Sequence, residues 1–314
     1  MNRSRLAVAL VILIPVSLFA GLPIARYLRS NQETLMLDDA ARSQAPGKFV
    51  RLAGGMTHYQ MGGSGPTVLL INGFSTPYNI WDPTYDALTR AGFRVLRYDL
   101  FGRGWSDRPA ATYDVEFFVR QAADLLDALG IREPVDIGGV SMGGPIAVSF
   151  AARHPQRVHR VMLFDPGYFD GFPLGMAIRL PLVGEYNMAV RIAPGLAKSQ
   201  WKDFAHPDRF PDYLGPYMEQ MRYRGFRHAL LATMRNYIAK DTSADYFTIG
   251  KSGKPVLLIW GKKDLDTPIE LSKKVLGAIP HAEFHPIDDA AHIPHYEHPE
   301  IVNPLVIRFL SEAR

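Results

Sequence analysis

Cysteine does not occur in the 314 residues of the chain. Its absence removes disulfide frameworks, thiolate metal sites and a cysteine nucleophile in one step, although it assigns no compartment. A surplus of one charge is missing too: Lys and Arg number 35 against 31 Asp and Glu, a net charge of +4 at pH 7. That balance is small for the length, so no nucleic-acid partner is expected. Internal repeats and low-complexity tracts are not found. What remains is an ordinary globular composition, 47% hydrophobic and 21% charged, ample for one large core with an appended lobe.

Charge is also absent from the run Leu6 to Ala25, which Arg3 and Arg5 precede and Arg26 and Arg29 follow. About 20 apolar residues is the length of a helix that crosses a bilayer. A cleaved secretory signal is the rival, but it has a shorter apolar region and a small-x-small site, which neither "LFA" nor "PIA" supplies. Residues 1–30 are therefore expected to be a single-pass membrane anchor that leaves the bulk of the chain extracytoplasmic, with secretion after signal cleavage as the alternative. Residues 31–46 are expected to be a polar tether.

After the tether, "KFVRLA" and "MTHYQM" flank a Gly-Gly pair, the pattern of a two-strand hairpin. Short β-rich apolar runs then alternate with helix-length amphipathic segments. The runs are "TVLLIN" (67–72), "FRVLRYD" (93–99), "PVDIGG" (134–139), "RVMLFD" (160–165), "PVLLIW" (255–260) and "AEFHPI" (282–287). Apolar on both faces, they read as buried parallel strands. The alternation predicts an α/β fold with helices on both faces of a mostly parallel sheet. Between Asp165 and Pro255 the rhythm breaks into a long, aromatic, proline-punctuated interval too large for a structureless loop. It predicts a helical cap over residues 167–250, inserted into a core of residues 47–166 and 251–314.

One serine stands out. Ser141 follows a β-rich run and precedes "MGGPIAVSFAARH", with Gly139 and Gly143 two residues to either side. G-x-S-x-G between strand and helix describes a turn so tight that side chains at the glycine positions would collide, exposing the serine and aiming the next amide, Met142 N–H, beside it. A phosphate cradle is the competing reading of such a turn. No P-loop lysine follows the glycines, and the dinucleotide G-x-G-x-x-G spacing is absent. A hydroxyl nucleophile needs a base, and the base an orienting acid. "DDAAHIPHYEHPE" offers His292, His295 and His298, of which His292 stands first after the last strand and is the candidate. For the acid, Asp264 follows the strand "PVLLIW", while Asp165 ends another strand and is the second location. Asp266 reads as a helix cap before Pro268.

With Ser141, Asp264 and His292 in that order, the chain from about Lys48 to Leu310 resembles the α/β-hydrolase superfamily with a helical cap. "AHIPHYEHPE" is similar to the superfamily's G-H-x-x-x-x-E-x-P ending, with Ala291 in place of glycine, and "DLFGRGWSDRP" resembles its D-x-x-G-x-G-x-S loop. "INGF" occupies the place of its H-G-x-x oxyanion loop, with Asn72 where histidine is usual. The resemblance implies a Ser141–His292–Asp264 triad, an oxyanion hole of the Phe74 and Met142 backbone N–H groups, and no metal or organic cofactor. Asp99, Gly102, Arg103 and Gly104 are assigned to structure beneath the site. With the apolar N-terminus, "NGFS" and "SMGG" look like the membrane-anchored monoacylglycerol lipases, features shared with carboxylesterases and carbon–carbon bond hydrolases. The expected activity is cleavage of an acylglycerol or similar small apolar ester; the alternatives are a carbon–carbon bond or amide hydrolase of the same fold, or a non-catalytic ligand-binding member.

Overall fold

The computed structural model describes residues 21–171 and 173–312. One sheet organises the chain: eight strands, β1 (Lys48–Leu52), β2 (Gly55–Gly62), β3 (Thr67–Ile71), β4 (Arg94–Tyr98), β5 (Val135–Val140), β6 (Val158–Phe164), β7 (Val256–Gly261) and β8 (Glu283–Ile287), in the order β1-β2-β4-β3-β5-β6-β7-β8. The hairpin β1–β2 and the β2–β4 pair are antiparallel, and every later pairing is parallel. Each residue of β3, β5 and β7 is buried, as a central parallel strand covered on both faces requires. The run at 282–287 differs from that pattern, because β8 lies at the sheet edge and is mostly half-exposed, with Pro286 tolerated where no neighbour needs its missing donor.

Helices α1 (Asp82–Arg90), α2 (Val115–Ala128), α3 (Gly143–Arg153), α4 (Ser272–Ala278) and α5 (Pro299–Ser311) cover the sheet. The Asp114 side chain accepts the Phe117 N–H and starts α2 where the apolar stripe Phe118, Val119, Ala122, Leu125, Leu126 begins. Two buried layers result, one holding Leu69, Ile71, Ile137 and Phe118, the other Val68, Leu70, Trp81 and Phe309. The chain passes from β3 outward to β4 and then back to β5 on the other side of β3. The ends of β3 and β5 therefore open on a topological switch point, where α/β sheets hold their ligands.

Between β6 and β7 the structure is helical, with helices at Ala193–Ser199, Leu214–Gln220, Phe226–Thr233 and Ser243–Ser252. Met188, Tyr217, Phe226 and Leu230 form a small core of this region's own. Residues 31–35 run along it: Leu35 exchanges backbone hydrogen bonds with Arg222 and Arg224, and the Glu33 carboxylate accepts N–H groups of Gly225 and Arg227.

The membrane-anchored reading is corrected. No helix among the described residues is long and apolar enough to cross a membrane. Residues 1–20, which carry most of the apolar run, lie outside the described residues.

Candidate active site

Ser141 joins β5 to α3 with φ 53°, a left-handed backbone that non-glycine residues seldom adopt and that concentrates at functional sites. The close approach that imposes it is measurable. A Cβ on Gly139 would lie 2.1 Å from Gly143 O, and one on Gly143 would lie 2.3 Å from Ile71 O. Strand thus enters helix with no intervening loop, and Ser141 stands half-exposed between the buried Val140 and Met142. Gly143→Ala is expected to lower stability by about 3 kcal/mol, since its methyl meets backbone that cannot retreat from the sheet. Denaturant unfolding measures this, and a loss near zero would mean that the end of β3 yields.

His292 follows β8, and its Nδ1 lies 2.7 Å from Asp264 Oδ2. Both groups are buried. Asp264 is locked from behind: Oδ1 accepts the N–H of Asp266 at 2.8 Å and of Thr267 at 3.0 Å, and Oδ2 accepts the Thr267 hydroxyl at 2.6 Å. Burial pushes the Asp264 carboxyl up, but His292 and the Thr267 donors outweigh it and hold it below its ordinary value. Burial likewise pulls the His292 imidazole down, and the charge and hydrogen bond of Asp264 overcome this, pushing it up to about 9. With Nδ1–H donating to Asp264, Nε2 is the free base position.

The second acid location has a different environment. Asp165 Oδ1 accepts the Gly261 N–H at 2.8 Å, and burial together with the Asp264 charge pushes its carboxyl well above the usual range. Two adjacent carboxyls of which one must stay neutral follow from like-charge repulsion in a dry site. Asp165, Asp264 and His292 offer atoms within 4.8 Å of one another, the donor types of a metal site. Here Asp264 is joined to His292, and Asp165 Oδ1 accepts from Gly261. The other two candidate histidines point elsewhere. His295 donates to Ile80 O at 3.1 Å against the Trp81 ring, and burial pulls it down to about 3; His298 bonds Asp289 O at 2.8 Å.

Phe74 and Met142 line the same cavity as Ser141 and His292. Met142 is the N-cap of α3, a position whose backbone N–H has no intrahelical acceptor. The Asn72 amide donates to Thr76 O and closes the loop that carries Phe74. Arg103, buried in the loop after β4, donates to Phe74 O at 2.7 Å, Phe101 O at 3.1 Å and Thr233 Oγ1 at 2.9 Å. Asp99 organises the same layer by accepting the Tyr78 N–H at 2.7 Å and the Trp105 N–H at 2.9 Å and pairing with His58 at 2.7 Å.

A family model described as the alpha/beta hydrolase fold matches residues 66–299. The chain belongs to the α/β-hydrolase fold family. It is 31% identical over 288 residues to a 2-hydroxymuconate semialdehyde hydrolase of Pseudomonas putida, covering 87% of this chain and 98% of that one. A 2-hydroxy-6-oxononadienedioate/2-hydroxy-6-oxononatrienedioate hydrolase of Paraburkholderia xenovorans is 29% identical over 287 residues, covering 84% and 95%. Among solved structures, the enol-lactonase from Burkholderia xenovorans LB400 superposes with a TM-score of 0.73 at 26% identity, covering 84% of this chain and all of that one.

In this α/β-hydrolase the cavity above Ser141 measures about 330 Å³. Few of the aromatics in which the cap is rich reach its wall. Of the cap aromatics picked out by the sequence, Phe169 alone among the described residues lines it, and Phe172 lies outside them. Phe204, Phe210 and Tyr213 instead meet Tyr296 edge-on and fasten the cap to the short helix Pro294–Glu297 after His292. Ser199, Gln200, Asp203, Asp266 and Thr267 give the wall a polar side. Asp203 and Thr267 escaped sequence reading. "DLDTP" contained a usable signal for Thr267, since a Thr three residues after a candidate acid can reach back to it, whereas nothing local distinguishes Asp203.

Proposed function

We propose that this chain is a serine hydrolase that opens a carboxylic ester through an acyl-enzyme. His292 Nε2 takes the proton of the Ser141 hydroxyl as Oγ bonds to the acyl carbon, and the imidazolium passes that proton to the departing alkoxide. Water then gives a proton to His292, attacks the acyl carbon and breaks the Ser141 ester, and the proton returns to Oγ. Phe74 and Met142 N–H would carry the oxyanion, where one donor is typically worth on the order of a hundredfold or more in rate. The observation that carries the reading is the convergence of a positive-φ serine and a buried His292–Asp264 pair on one cavity.

Carbon–carbon bond hydrolysis by the same residues is the second reading, favoured by the names of the two curated relatives. A dienedioate bears two carboxylates, yet no Lys or Arg lines this cavity among the described residues, which favours the ester. Turnover of an ester panel beside a ring-cleavage dienoate decides between them. The pH profile tests the base. With the imidazole pushed up to about 9, kcat/KM is expected to rise with pH along a limb that lies above 6.5, because only neutral imidazole accepts the serine proton. A limb at or below 6.5 would argue against the His292–Asp264 pair as the base.

A further inference from the structure

Two carboxyl groups that the triad does not use face the cavity, Asp203 from the cap and Asp266 from the loop after β7. Asp203 is buried, and the Asp266 and Asp264 charges act on it from the core together with His292. The groups facing Asp203 are His292, Asp266 and Asp264 from the core and the Tyr213 and Tyr217 hydroxyls from the cap. Lys198 and Lys202, on the same stretch of cap, are exposed and do not line the cavity. Its remaining wall is neutral, with Phe74, Ile80, Phe169, Leu196 and Ile238 as its apolar part.

From this arrangement we infer that the cavity selects an uncharged substrate: the Asp203–Asp266 pair is an acidic wall beside His292 that turns away esters bearing a carboxylate. The inference rests on the serine-hydrolase reading and names the substrate class of that site. A charge left unpaired against the wrong ligand is an efficient way to discriminate, since it costs the right ligand nothing. Burial, opposed by His292 and reinforced by Asp266 and Asp264, pushes Asp203 up to about 8, so the wall gains negative charge as pH rises. Over the same interval His292 loses its positive charge, and both changes disfavour an anion.

The test uses a matched pair, the mono-p-nitrophenyl ester of glutaric acid and the corresponding ester whose far end is a carboxamide. The full chain is expected to prefer the amide by at least about tenfold in kcat/KM at pH 7. The preference should widen between pH 7 and pH 9, a change in which the shared need for neutral His292 cancels. Asp203→Asn and Asp266→Asn should each narrow it, mainly through KM for the acid. In Asp203→Asn the alkaline limb shared by both esters should also move to lower pH, because a charge that supports the imidazolium is gone. Equal turnover of the two esters by the wild type, or a preference for the acid, would overturn the inference while leaving the hydrolase standing. Failure of either ester to react, together with no labelling by a fluorophosphonate probe, would overturn both.

Discussion

Ser141→Ala is expected to lower kcat/KM for the preferred ester by roughly 10⁴- to 10⁶-fold, as loss of a triad nucleophile does. Only the hydroxyl leaves. The backbone at φ 53° is held by the Ser141 N–H to Phe164 O at 2.9 Å and by Ser141 O accepting from Gly144 and Gly167, each at 3.0 Å. Alanine keeps all three bonds, so Tm is expected to stay within a few degrees and the fall cannot be assigned to unfolding. The cavity and the oxyanion donors remain, which leaves binding and a small residual rate. Steady-state kinetics, Tm and intact mass after fluorophosphonate treatment together check this. Labelling that survives the substitution would place the nucleophile elsewhere.

Periodicity carried the fold because each central strand is buried on both faces. "TVLLI" and "VLLIWG" are almost wholly apolar and "VDIGGV" is broken only by the buried Asp136, runs whose shortness and regular alternation with helix-length segments mark them as strands. Edge strand β8 was legible only through its position in the alternation, since "EFHPI" is half-exposed and contains a proline. The elbow was legible for a local reason as well: two glycines at fixed spacing are what a zero-length strand-to-helix turn demands, and the distances of 2.1 and 2.3 Å to an added Cβ give that demand in numbers.

The cavity wall was illegible for the converse reason. Whether a cap aromatic faces the ligand or its neighbours depends on how short helices fold back, and no period in the sequence records that. Phe204 and Tyr213 went to the seam with Tyr296, while the acid Asp203 turned inward. Composition therefore shows that the cap is aromatic but not which of its side chains tertiary packing turns toward the cavity. A similar limit applied to the two acid positions, because Asp165 and Asp264 both end strands beside His292, and only their hydrogen bonds tell them apart.

Those hydrogen bonds make opposite forecasts for the two asparagine variants. In Asp264→Asn the amide oxygen is held at the Oδ1 position, where two backbone N–H groups demand an acceptor, so the NH2 must take the Oδ2 position facing His292 Nδ1. A donor there forces the imidazole proton to Nε2 and leaves no base for Ser141. The expected loss in kcat is on the order of 10³- to 10⁴-fold, and the alkaline limb should move to lower pH as the charge that supports the imidazolium disappears. Asp165→Asn differs in kind. Burial and the Asp264 charge push its carboxyl well above the usual range, and an amide reproduces its acceptor for Gly261 N–H. Activity should fall by no more than about threefold, the scale of a substitution that keeps its hydrogen bonds. If Asp165→Asn were the variant that lost activity and Asp264→Asn the one that kept it, the acid would be Asp165, and the 2.7 Å contact between His292 and Asp264 would be structural.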